Sequence, residues 1–485
     1  MKRTTLIVAL VAASCGTALG ADLPIKAQPA EHVKICSAYG AGYFYVPGTD
    51  TCLKIGGYVR FDTYINSIAT FTPLITPIAG AAFNGPGAGA IGFPFRDADD
   101  GDLFTRTRAV FDMDARTQSE YGTLRSYVRM GMSWDTQTAP GSNPGTSLYF
   151  ERAFVQFSGF TFGYVQSFFD LGLNYMYTTP IAGSSRWTTA LAYTAMLGNG
   201  LSATLSLEDA ANRTTGVQMA GSTPQAWNNI STTTTGLGYA SYQAGQDLPD
   251  LVGNIRLDQS WGSALLSGAV HQVKVEDPLY AGYVPGLASS GAWGWAVGAG
   301  AEIRLPALAN GDSLFLQAGY ASGAAAYLGL SGSSQGLAQG LGLINLTQIG
   351  AQLSGSGAFY TVADAVATNL LGDYALTSGW SLSGQLRHYW IPVLRSTIYA
   401  GYVSYDVPAN IVAASDFSLW QVGLNTIWSP VRNLEIGAEI LYTKLDGSIP
   451  LGNYAAVSGS GSQIGSLMGG SVDTWSGGFR VQRSF

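Results

Sequence analysis

The sequence predicts an all-β chain closed into a transmembrane antiparallel up-and-down β-barrel, and three observations predict it. Charged residues are scarce, 11% against about 25% in a typical soluble protein, while aromatic residues reach 12% and glycine fills 63 of 485 positions. Mean hydropathy is only +0.16, and beyond the N-terminus no run approaches the roughly 18 apolar residues that a membrane-spanning helix needs. Apolar and polar side chains instead alternate along many segments, as they must where successive residues face lipid and water in turn.

The N-terminus bears on the compartment. Lys2 and Arg3 precede an apolar stretch at 6–13 and small residues up to Gly20, the layout of a secretory signal over residues 1–20. Removing it takes the net charge from −7 to −9, which speaks against nucleic acid as a partner. Cys15 leaves a lipoprotein cleavage site open, with a small-residue signal peptide the simpler reading. Two cysteines remain, Cys36 and Cys52, around a Gly- and Tyr-rich loop. In an exported chain this suggests a disulfide, worth about 3 kcal/mol for a loop of this length. No histidine or third cysteine accompanies them, so neither a metal nor any other cofactor is indicated. Residues 21–52 form an N-terminal periplasmic segment in this reading, and 53–485 the barrel.

Strand by strand, the alternation runs as follows. Leu53, Ile55, Val59 and Phe61 share one parity, and Lys54, Tyr58, Arg60 and Asp62 the other. Sixteen such segments are expected: 53–65, 103–117, 121–134, 148–158, 160–169, 187–197, 200–208, 250–260, 263–275, 292–305, 312–322, 379–390, 394–405, 416–428, 432–444 and 473–485. Short links, at Ser119 and Glu120, Gly159, Gly198 and Asn199, Trp261 and Gly262, 309–311, 391–393 and 429–431, alternate with long ones. Short turns at one rim and long loops at the other describe an outer-membrane barrel. The hairpin at Ser119 and Glu120 offers a check. A two-residue turn pairs even positions with odd ones, and the polar residues Arg106, Arg108, Asp112, Asp114 and Arg116 against Thr123, Arg125, Tyr127 and Arg129 obey it.

Closure is a physical requirement, since an open edge in hydrocarbon leaves backbone groups unpaired at several kcal/mol each. The last segment therefore meets the first. Aromatics are expected as membrane anchors at both rims, with Trp390, Trp428 and Phe485 at the short-turn side and Trp134, Trp293 and Trp475 at the other. Segment 323–378 is long enough to hide another hairpin, giving eighteen strands, and 209–249 leaves room for a short hairpin above the membrane.

The stretch at 33–62, VKICSAYGAGYFYVPGTDTCLKIGGYVRFD, closely resembles the N-terminus of the alphaproteobacterial porin family. EYGTLRSYVR at 120–129, RAFVQFSGFTFGYVQSFFD at 152–170 and the strand ending in Phe485 add weaker matches. The resemblance implies a sixteen-stranded barrel assembled as a homotrimer, with the third long loop folded into the lumen. It also implies outer-membrane lipid and lipopolysaccharide as surroundings, and passive diffusion of small hydrophilic solutes and ions, with no covalent step.

Inward parity places Arg60, Arg106, Arg108, Arg125, Arg129 and Arg152 on one basic wall lining the pore. An arginine facing lipid near the midplane costs about 2–4 kcal/mol, so the lumen is where these belong. The third loop, 170–186, carries Asp170, Asn174, Tyr175, Tyr177 and Arg186 and is poor in acids. A transverse field would then depend on the inward acids Asp62, Asp112, Asp114, Glu435 and Glu439. The plainer reading makes the arginines partners in barrel-wall ion pairs, for example Asp114 opposite Arg125. Ion preference stays open, because net negative charge favours cations at the mouth while six arginines favour anions at the constriction.

Other constellations are weak. The acidic run Asp97, Asp99, Asp100 and Asp102 fails as an EF-hand, because Arg108 stands where a bidentate Glu is needed. His32, His271 and His388 show no metal or catalytic spacing. Tyr175 and Tyr177 permit a substrate-selective, sugar-type channel of the same architecture. A hydrolase would need a Ser, a His and an acid convergent at one rim, which the sequence does not show.

Overall fold

A computed structural model describes residues 34–65, 67–68, 72–73, 103–136, 145–178, 181–219, 245–275, 290–330, 362–367, 374–408, 416–447 and 470–485. The signal segment, His32, the Asp97 to Asp102 run and the threonine run at 232–235 lie outside them. Sixteen strands build the wall: β1 (Cys52–Ile65), β2 (Leu103–Ser119), β3 (Gly122–Asp135), β4 (Gly145–Phe157), β5 (Phe160–Gln166), β6 (Trp187–Gly198), β7 (Leu201–Glu208), β8 (Asp250–Gln259), β9 (Gly262–Val275), β10 (Ser290–Arg304), β11 (Ser313–Ser322), β12 (Ser378–Ile391), β13 (Leu394–Asp406), β14 (Phe417–Trp428), β15 (Leu434–Gly447) and β16 (Gly470–Ser484). Every neighbouring pair is antiparallel, and β1 pairs with β16 from Tyr58↔Ser484 to Ile65↔Gly477, so the sheet has no open edge.

Parity sorts the side chains. Ile55, Val59, Phe61 and Ile65 of β1, and Phe111 and Met113 of β2, are exposed on the outer face, while Arg60, Asp62, Arg106 and Asp114 are buried inside. Trp134, Trp293, Trp390, Trp428, Trp475 and Phe485 are exposed, as anchors should be. The register Asp112↔Arg129, Asp114↔Tyr127 and Arg116↔Arg125 is the even-with-odd pairing expected, around a turn at Glu120 and Tyr121, one residue later than the sequence suggested. Asn199 and Gly200 link β6 to β7 with positive φ of 51° and 76°, a turn for which Asn-Gly is suited because neither residue is strained there. The link between β10 and β11 is longer than the three residues expected. It spans 305–312, held by Leu305 N to Asp312 O at 2.8 Å.

The wall holds sixteen strands and not eighteen. The two long segments that left room for extra hairpins instead join each other, with Val217–Met219 parallel to Ala365–Ala367, which is antiparallel to Tyr374–Leu376. Buried apolar packing lies between inward loops and the wall, where Phe169, Ile181, Leu328 and Leu330 meet Val403, Tyr405 and Leu419. A disulfide joins Cys36 to Cys52. The segment it staples packs Tyr39, Tyr43 and Tyr45 together near the short-turn end of β1 to β3. Among the described residues no helix is long and apolar enough to cross a membrane.

Candidate pore and constriction

The inner face of β1 to β4, joined across the closing seam by β16, carries a ladder of arginines. Asp62 is fully buried between two of them, 2.9 Å from Arg60 Nε and 2.6 Å from Arg480 Nε, and accepts the Tyr64 hydroxyl at 2.9 Å. Arg106 pairs with Asp135. Asp114 is shared by Arg116 at 2.8 Å and Arg125 at 2.9 Å. Arg129 lies 2.5 Å from Glu151 and 3.5 Å from Asp112. Aromatic faces hold the guanidinium planes: Arg60 and Arg129 sit over Tyr58, Arg125 over Tyr127 and Phe154, and Arg116 against Tyr39 and Tyr43. Arg108 donates to Ser133 Oγ at 2.8 Å and stacks on Tyr149 at 4.8 Å, and Arg152 stacks on Trp187 at 4.4 Å. Asp62, Asp112 and Asp114 thus stand inside the basic wall as counter-charges, not across the lumen from it.

Glu151, Asp135 and Arg480 complete this wall, and they were not among the candidate site residues from sequence. Glu151 reaches the lumen through a β-bulge. Arg129 pairs with Arg152 while Met130 pairs with Phe150, so Glu151 is skipped and its neighbours change parity. A signal for it exists in the sequence, because strict alternation would aim Glu151 at lipid and Phe150 at water.

The third long loop, between β5 and β6, crosses the lumen and is fastened to one strand after another. Glu208 of β7 accepts from Phe168 N at 2.8 Å, Ser267 of β9 donates to Phe169 O at 2.9 Å, and Gln317 of β11 donates to Ala182 O at 3.0 Å. Tyr175 donates from its hydroxyl to Glu302 of β10 at 2.5 Å and from its amide to Gln385 of β12 at 2.7 Å, while Arg387 lies over its ring at 4.2 Å. Burial, then the Glu302 carboxylate, push the Tyr175 phenol up to about 12. Ile181 N donates to the Tyr399 hydroxyl of β13 at 3.2 Å. Glu439 of β15, 4% exposed, accepts from Tyr177 N at 2.6 Å and Thr178 N at 2.8 Å, and Asn425 of β14 donates to Tyr175 O at 2.9 Å. Gly437 lacks a side chain because a Cβ there would strike the Tyr177 hydroxyl. Arg480 covers the Tyr177 ring at 4.2 Å. The loop is therefore spread over β7 to β16, and the arginine strands β1 to β4 face it across the remaining lumen.

Asp170 and Arg186 tie the root of this loop. Asp170 accepts the Arg186 amide at 2.6 Å and lies 3.3 Å from Arg213, a fully buried guanidinium that also donates to Ser184 Oγ at 2.6 Å and covers Tyr327 at 4.1 Å. Desolvation, then the neighbouring Arg213 charge, lower Arg186 to about 10. Asn174 donates to Thr178 O at 2.7 Å and shapes the loop from within. Glu435 lies away from the constriction, 2.7 Å from Arg395, where it is a rim ion pair. His271 is fully buried with Asp250 at 2.7 Å and Asp364 at 3.6 Å on its two ring nitrogens, and His388 pairs with Asp312 at 2.6 Å. The first of these joins the wall to the segment around 364, whose Asp364 also accepts from Thr215 N and Ala325 N.

Comparison with known proteins agrees with this architecture. Porin Omp2b of Brucella suis is 29% identical over 274 residues, covering 53% of this chain and 61% of the relative. Porin Omp2b of Brucella abortus (strain 2308) is 26% identical over 264 residues, with the same coverage. The chain thus spans about three-fifths of the length of the curated relatives it matches. The crystal structure of the outer membrane channel DcaP of Acinetobacter baumannii superposes with a TM-score of 0.58 at 16% identity, covering 91% of this chain and 99% of that one, a likeness of fold. A profile described as the porin subfamily matches residues 22–464. With its closed sixteen-stranded wall and inward constriction loop, the chain belongs to the porin subfamily and is an outer-membrane β-barrel.

Proposed function

We propose that the chain forms a passive, water-filled channel for diffusion of small hydrophilic solutes and ions across the outer membrane. The observation that carries this reading is the division of the interior. One loop is bonded to β7 through β16, while Arg108, Arg125, Arg129, Glu151 and Arg152 of β2 to β4 stay partly exposed opposite it, so a polar path is left along that wall. Arg60, Arg106, Arg108, Arg125, Arg129 and Arg152 line this path as its basic side, with Asp112 and Asp114 tempering it. Tyr175, Tyr177 and Asn174 bound its other side. A homotrimer set in lipid and lipopolysaccharide is the assembly we propose.

Tyr175 and Tyr177 supply no aromatic slide for sugars, because the Tyr175 ring and hydroxyl are already engaged by Arg387 and Glu302, and the Tyr177 ring by Arg480. A hydrolytic role gains no support from His271, which is enclosed by two carboxylates with no exposed surface. Reconstitution into planar bilayers tests the reading. Discrete, ohmic steps of current that sugars do not block at low concentration are expected. Absence of conductance from correctly folded protein would overturn it.

A further inference from the structure

We propose that a second inward lid, stacked on the constriction loop and latched at Asp364, limits the size of solute that enters the pore from the long-loop rim. The proposal rests on the channel reading and adds a size-determining residue to it.

Two of the links at that rim build the lid. One leaves β7 and supplies residues 210–219, and the other leaves β11 and supplies 323–330, 362–367 and 374–377. A link lying over the outside of a pore would show its side chains to water, yet Val217, Tyr327, Leu328, Leu330, Val362 and Ala365 are all buried. They are buried against the inner face of the wall. Val217 and Ala365 pack on Val273 of β9, while the residues at 324–330 and Val362 join a cluster that runs from Val252 of β8 to Leu445 of β15. Removal of this apolar surface from water is what keeps the lid inside the barrel.

The lid rests on the returning half of the constriction loop. Gly183 N donates to Leu328 O at 3.0 Å, and Arg213, held by Asp170 and Ser184, also donates to Ala326 O at 3.3 Å. Gly329 has a φ of 97° and lies where a Cβ would come within 2.6 Å of Ile181 O, so a glycine is needed for the two backbones to meet. On the β8 to β15 side the lumen is therefore filled beyond the constriction loop as well, and entry is narrowed toward the arginine strands.

Asp364 gathers the pieces. Its Oδ2 accepts from Thr215 N at 2.7 Å and its Oδ1 from Ala325 N at 2.9 Å, so one buried carboxylate ties the link from β7 to the link from β11. The same Oδ2 lies 3.6 Å from Nε2 of His271 on β9, and Nδ1 of that ring meets Asp250 of β8, which accepts the Tyr327 hydroxyl at 2.6 Å. Beside this latch, the Tyr405 hydroxyl of β13 accepts from Ala363 N and donates to Ala363 O, both at 2.9 Å. Loss of the Asp364 carboxylate strands two buried amides and lets the pieces of the lid part. Asp364 lies outside the paired strands of the wall, so the barrel stays closed.

The experiment uses the full barrel in planar bilayers, inserted in one orientation, with neutral polyethylene glycols of graded mass added to one side at a time. A polymer that enters a mouth lowers the conductance, and one that is excluded leaves it unchanged. Native channels should exclude smaller polymers from the long-loop side than from the short-turn side. Asp364→Ala should admit larger polymers from the long-loop side alone, and should raise the time spent in a higher-conductance state about tenfold for each amide left without an acceptor. Asp364→Asn, which keeps one oxygen, should fall between native and Ala. Tyr405→Phe removes one hydroxyl from a residue of unchanged shape and should shift the same cut-off by less, so the idea remains testable if Asp364→Ala fails to assemble. Equal cut-offs on the two sides of native channels, an unchanged long-loop cut-off in the variants, or a shift of both cut-offs together would overturn the lid while leaving the pore intact. Failure of the native protein to conduct would instead strike the channel reading.

Discussion

Glu439 is the side chain whose loss should disturb the constriction most. It stands on the inner face of β15, almost without exposure, and two consecutive loop amides, Tyr177 N and Thr178 N, donate to its two oxygens. Replacing it with Ala leaves both amides without an acceptor beside a new void. A buried donor left unsatisfied costs about 1–3 kcal/mol, and water from the lumen can refill part of this site, so about 2 kcal/mol in all is a fair figure. That raises the population of the detached loop tip about thirtyfold. The loop remains anchored on both flanks by Tyr399, Gln317 and Gln385, so the pore should persist. Single-channel recording of Glu439→Ala should show raised open-channel noise and a larger, more variable conductance than native protein. Glu439→Gln, which keeps one acceptor, should fall between the two. A Glu439→Ala channel as quiet as the native one, with the same conductance, would refute the view that this carboxylate positions the loop.

Other outcomes follow from the same contacts. Asp62→Ala strips the shared counter-ion from the buried Arg60 and Arg480 at the seam between β1 and β16, at a cost of about 3–5 kcal/mol. The urea midpoint of the folded barrel, read from heat-modifiable gel mobility, should fall markedly. Replacing Cys36 and Cys52 with Ser should loosen the N-terminal segment by about 3 kcal/mol and expose it to protease while the barrel stays closed, since no wall pairing depends on that bond. Tyr43 gives a test by pH. Burial, then its 2.8 Å hydrogen bond to Asp114, raise its phenol to about 12. Because the folded value is raised, the contribution of this bond is complete below about pH 10 and is lost as pH climbs through about 12. A phenolate absorbance titration of Tyr43→Phe should show one late-titrating phenol fewer than the native protein, with other late phenols such as Tyr175 retained.

Much of the wall was readable from the chain because a period of two and the sorting of links leave a plain trace. Leu53 through Phe61 on one parity, and the charged set at 106–116 facing 123–129 on the other, needed only the turn length to be placed. What escaped that reasoning has local causes. The bulge at Glu151 shifts parity within one strand, so the partner of Arg129 was missed. Counter-charges cannot be assigned from parity alone, which reports that Asp62 and Asp114 face inward but not that each sits between two arginines. Contacts between the constriction loop and Gln385, Asn425 or Glu439 join residues more than 200 positions apart and carry no local pattern at all. The interlocking of 217–219 with 365–367 is of the same kind.

The most direct test of the account is accessibility from water along one strand. With Cys36 and Cys52 joined in a disulfide, a cysteine introduced on β2 offers a single reactive thiol among the described residues. A charged thiol reagent should lower the current stepwise through Arg108→Cys, whose position faces the lumen, and leave the current through Phe111→Cys unchanged, since that position faces lipid. Equal reaction at both positions, or at neither, would contradict a closed wall whose alternate side chains line an aqueous path.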